Sequence, residues 1–120
     1  MTIKDTTAMI AGMTPELRPD RWVYCCLTDT RLLQELAPEA FALIREAEGT
    51  TLILPADTAR THAIAASPPM RLITLNVFSD LEGIGLTAAV ATALADKGIS
   101  CNVVAAFPHD HIFVPEDPAA

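Results

Sequence analysis

Apolar residues fall into short runs whose period changes along the chain. RWVYCCLT, residues 21 to 28, is a run of β-forming residues and predicts a strand. DTRLLQELAPEA follows, with Leu32, Leu33 and Leu36 at helical spacing and Pro38 closing a short helix. FALIREAEGTTLIL, residues 41 to 54, reads two ways. Ala42, Leu43, Arg45 and Glu46 are good helix formers, whereas TTLIL is β-branched, so helix-then-strand competes with a hairpin about a Glu-Gly turn. Pro55 suits a first helical turn, and ADTARTHAIAA predicts a short helix ending before Pro68 and Pro69.

The second half is more regular. RLITLNVF, residues 71 to 78, alternates Ile73, Leu75 and Val77 against a mixed face, the pattern of a strand covered by a helix on one side. From Ile84 to Lys97, residues Leu86, Ala89, Val90, Ala93, Leu94 and Lys97 recur at three- and four-residue intervals and predict one buried helical stripe. Gly98 supplies a left-handed stop. ISCNVVAAF then places Ile99, Cys101, Val103, Ala105 and Phe107 on one strand face, with Ser100 and Asn102 opposite, and HIFV returns as another strand after the turn PHD.

If the hairpin is taken, strand–helix–strand–strand occurs twice, from Arg21 and from Arg71. That is an α+β fold of split-βαβ, ferredoxin-like type used in tandem. The expected division is an N-terminal unit over 1–66, its first 20 residues a lead-in, and a second unit over 67–120. The second unit is C-terminally shortened, because only EDPAA follows HIFVP. Its vacant fourth strand position must be filled by the first strand or a partner chain, since an uncapped sheet edge invites aggregation.

Charge narrows the function. A net charge of −7 without a Lys/Arg stripe argues against nucleic acid. No run reaches the ~20 apolar residues of a membrane span, and the N-terminus lacks the pattern of a signal peptide. Three cysteines without a C-x-x-C pair read as reduced, buried thiols, with Cys25 and Cys26 on opposite faces of a strand. A cytoplasmic protein is expected.

Catalytic signals are sparse. No Ser elbow, Walker loop or Cys–His pair with an orienting acid occurs, so no catalytic residue and no cofactor are assigned. His109 and His111 would share a strand face, but a metal ion would need a third ligand from Asp110 or His62, and no metal site is assigned. The glycines of Asp80-Leu81-Glu82-Gly83-Ile84-Gly85 allow close approach to backbone N–H groups at a helix start. Asp80 and Glu82 would suit an ammonium, and the helix start a carboxylate. The same residues would also serve as an ordinary turn and cap.

RLITLNVFSDLEGIGLTAAVATALADKGISCNVVAAFPHDHIFVP resembles the ACT domain, a ferredoxin-like module that binds amino acids. FALIREAEGTTLILP resembles the first unit of the small stand-alone tandem ACT proteins related to the aspartokinase-type regulatory region. The resemblance implies the hairpin over 41–54. It also implies a regulatory, non-catalytic sensor of an amino acid or small metabolite, acting as a homo-oligomer, for instance a dimer. Asp80, Leu81, Glu82, Gly83, Ile84, Gly85, Asn102 and Val103 are then the ligand contacts. The alternatives are a ligand-free ACT-like module docking to a metabolic enzyme and, more distantly, a metal enzyme using His109, Asp110 and His111.

Overall fold

The computed structural model describes residues 14–76 and 84–117. The order is β1 (Thr14–Leu27), α1 (Thr30–Leu36), a 3₁₀ turn (Ala37–Glu39), β2 (Ala42–Glu46), β3 (Gly49–Pro55), α2 (Ala56–Thr61), β4 (Met70–Asn76), α3 (Ile84–Asp96), β5 (Asn102–Ala105) and β6 (Asp110–Pro115). The strands form a six-stranded antiparallel sheet in the order β2-β3-β1-β4-β6-β5, an α+β arrangement of ferredoxin-like βαββαβ type. Two compact units divide the chain: Asp20–Met70, and Arg71–Ala120 together with Met1–Pro19.

In the Asp20–Met70 unit, Asp29 caps α1 by accepting from the Arg31 and Leu32 N–H groups at 2.9 and 3.3 Å. The disputed stretch is a hairpin, with Leu43 opposite Leu52 and Glu46 opposite Gly49. Helix-forming residues give way there because β3 buries Leu52, Ile53 and Leu54 completely, a gain far larger than the tenths of a kcal/mol that separate propensities. Val23, Cys25 and Leu27 of β1 face Leu54, Leu52 and Thr50 in register. With Leu36 and Ala59 they form the core beneath α1 and α2. The second helix is shorter than ADTARTHAIAA suggests: Ala63 turns to φ 53° and ends it.

In the unit containing residues 71–120, α3 packs Val90 and Leu94 on Leu75, Ile112, Ile73, Cys101 and Val114. The expected stripe is narrower in fact, because Ala93 and Lys97 are exposed. The helix ends as the glycine predicts: Ile99 N–H donates to Leu94 O and Gly98 N–H to Ala95 O, with Gly98 at φ 72°. On β5 the expected apolar face is the open one. Val103 is exposed, because β5 is the last strand of the sheet and has a neighbour on one side only, and Phe107 is exposed in the turn that follows β5.

β1 starts well before the β-forming run at 21–28. Its first part, residues 14–19, groups with β4, β5 and β6, and β1 neighbours β4 in the strand order. An upstream extension of the first strand therefore takes the fourth strand position of this unit, and Arg71 Nη2 ties it down by donating to Arg18 O at 3.1 Å.

Candidate functional site

Residues 77–83 join β4 to α3, so the expected contacts Asp80, Leu81, Glu82 and Gly83 lie outside the described residues. Ile84 and Gly85 are the first two residues of α3, which places the helix start where the glycine pattern puts it. Asn102 and Val103 open β5, paired with Phe113 and Ile112. The Asn102 side chain donates from Nδ2 to Phe113 O at 3.2 Å, while Val103 is 41% exposed on the sheet edge.

The end of β4 and the start of β5 stand at different levels of the unit. Thr74 meets His111 side chain to side chain, which aligns β4 against antiparallel β6. β4 therefore ends near the level of His109. Asn102, level with Phe113, lies about four residue steps away, on the order of 13 Å.

Near the end of β4 stands the His109–His111 group, which the sequence offered only as a distant metal alternative. Thr74 is buried, with Oγ1 3.0 Å from Nδ1 of His111. Burial lowers the His111 pKa below its usual 6.5, and His109 and Arg18 lower it further against the pull of Asp110. His109 has a buried Nδ1 without a hydrogen-bond partner. The HDH sequence was the available signal; Thr74 and Arg18 carried none, since only strand pairing brings them near. Among the described residues no three His, Cys, Asp or Glu side chains cluster as metal ligands.

The other unit has an open cavity of about 470 Å³ lined by Tyr24, Cys25, Cys26, Thr51, Ala65 and Ala66. All three thiols are free. They are not uniformly buried as expected: Cys25 is buried and Cys26 exposed, because alternation in β1 turns them to opposite faces. Burial raises the Cys25 and Cys101 pKa values, keeping both thiols protonated at neutral pH. No helix among the described residues is long and apolar enough to cross a membrane.

Compared with known families, the chain matches the ACT domain twice, over residues 2–71 and over residues 69–119. It belongs to the ACT domain family. The tandem ACT arrangement marks a regulatory, ligand-binding module of a kind that is generally non-catalytic. Among solved structures, the chain is similar to a Vibrio cholerae protein of unknown function described as a possible transport protein. The two are 44% identical, with a TM-score of 0.82, over 95% of this chain and 87% of the other. No curated protein matches.

Proposed function

We propose that this ACT protein is a sensor without catalytic activity, binding an amino acid or related small metabolite through the 80–85 loop and the Asn102–Val103 strand. The observation that carries the reading is the ACT family's tandem arrangement joined to an α3 that starts at Ile84, directly behind Gly83. The exposed N–H groups of a helix start suit a carboxylate, and Asp80 and Glu82 suit an ammonium. The resemblance to the aspartokinase-type region puts an amino acid first among effectors.

The resemblance implies a homo-oligomer, and a ligand held near an interface would favour one association state over the other. The setting is cytoplasmic.

A thermal-shift screen of the twenty amino acids tests this directly. A ligand at 100 times its dissociation constant adds about 2.7 kcal/mol, a readily measured rise in midpoint. Gly85→Trp and Asn102→Ala should each abolish the rise. Twenty flat traces with no heat in calorimetry would remove the sensor reading.

One observation favours a second reading, a ligand-free interaction module. Leu43 and Ile44 on β2, and Val103 and Phe107 at β5, are large apolar residues exposed along both outer strands. Light scattering separates the two: association that is independent of every amino acid, and lost in Phe107→Asp, supports the module over the sensor.

A further inference from the structure

The face of β4 and β6 turned away from α3 carries chemistry that the effector loop does not use. Ile73 and Leu75 pack toward α3, so Thr74 between them points to the opposite face, where it meets His111 at 3.0 Å. Thr74 is the one buried polar residue among those described. His109, two positions before His111, holds a buried Nδ1 that lacks a hydrogen-bond partner. Arg18 comes from β1, the neighbour of β4, and its charge reaches His111.

Two acids stand near this cluster. Asp110 sits between the histidines, and Glu16 holds Arg18 only at 3.5 Å in an exposed pair of small worth. A chain of net charge −7 thus gathers a guanidinium and two of its three imidazoles in one place. A metal ion would be repelled by Arg18 and would find no third ligand among the described residues. A buried nitrogen without a partner, in the neighbourhood of a guanidinium, is matched by an anionic acceptor.

We propose that Arg18, His109 and His111, with Thr74 positioning the His111 ring, form a binding site for a small oxyanion, a carboxylate or phosphate group, on the face opposite α3. The site is separate from the effector loop and stands whether or not that loop binds an amino acid. The lowered pKa of His111 agrees with it, since His109 and Arg18 both act in the direction that a bound anion would reverse.

The test uses the wild-type full chain, following the three imidazoles by NMR while sodium phosphate or sodium acetate replaces sodium chloride at constant ionic strength. The His109 and His111 signals should move together along one saturating curve while His62 stays in place, and the anion that saturates at lower concentration names the class. Arg18→Gln should weaken that anion about tenfold, the loss of one charge-assisted contact, with the rest of the spectrum unchanged. Shifts absent or reproduced by chloride would overturn the site. So would saturable binding indifferent to Arg18→Gln.

Discussion

Ser67 and Tyr24 exchange two hydrogen bonds: Ser67 N–H donates to Tyr24 O, and Tyr24 N–H donates to Ser67 Oγ, both at 2.9 Å. Through this pair the segment after α2 takes the place of a strand on the free side of β1 within the Asp20–Met70 unit. Ser67→Ala removes the acceptor for a half-buried backbone N–H. It should cost about 1 kcal/mol, read as a lower urea midpoint with unchanged slope. A neutral result would mean that water replaces the hydroxyl.

Gly49 closes the β2–β3 hairpin at φ 151°, and a Cβ there would stand 2.8 Å from Cys26 Sγ and 3.1 Å from Leu27 O. Gly49→Ala should therefore destabilise by about 1–3 kcal/mol, combining backbone strain with overpacking. For a domain of this size the melting temperature should fall by several degrees. Gly98→Ala meets open space and carries only the strain of its φ of 72°, so its loss should be the smaller.

Leu36 and Leu52 are fully buried in the core beneath α1 and α2. Truncating either to Ala should cost about 2–5 kcal/mol, a large share of the 5–15 kcal/mol typical of a folded domain. Leu43→Ala, on the exposed side of the hairpin, should cost far less. Chemical denaturation of the three variants measures the contrast.

The histidines should titrate on opposite sides of 6.5. His111 has a folded-state pKa depressed by burial, then by His109 and Arg18. The stability it contributes is full above 6.5 and is lost as pH falls from there through the folded value. His62 is raised, chiefly by its hydrogen bond to Thr58 O at 2.9 Å and further by Glu35. Its contribution is full below 6.5 and is lost as pH rises through the folded value. An imidazole titration placing His111 above 6.5 or His62 below it would contradict the corresponding assignment.

Native alkylation should separate the thiols. Cys26 is exposed, whereas burial holds Cys25 and Cys101 protonated. With limiting iodoacetamide, peptide mass spectrometry should find Cys26 modified first. Equal labelling of Cys25 would show that β1 opens more readily than its packing implies.

Where apolar spacing met a two-sided environment, sequence alone sufficed. Ile73 and Leu75 on β4, the α3 start at Ile84 and its stop at Gly98 follow from side-chain periodicity and from glycine's backbone freedom, which are local properties. The 42–46 strand was legible only through family resemblance, because its residues favour a helix and the decision rests with Leu52, Ile53 and Leu54 across the hairpin. Tertiary structure alone decided which part of the first strand lies beside β4, since residues 14–19 lack a strong β pattern and owe their pairing to the open edge they meet. The same holds for Thr74 with His111 and for the level of Asn102 opposite Phe113. Strand register sets both, and register is fixed by contacts between residues far apart in the chain.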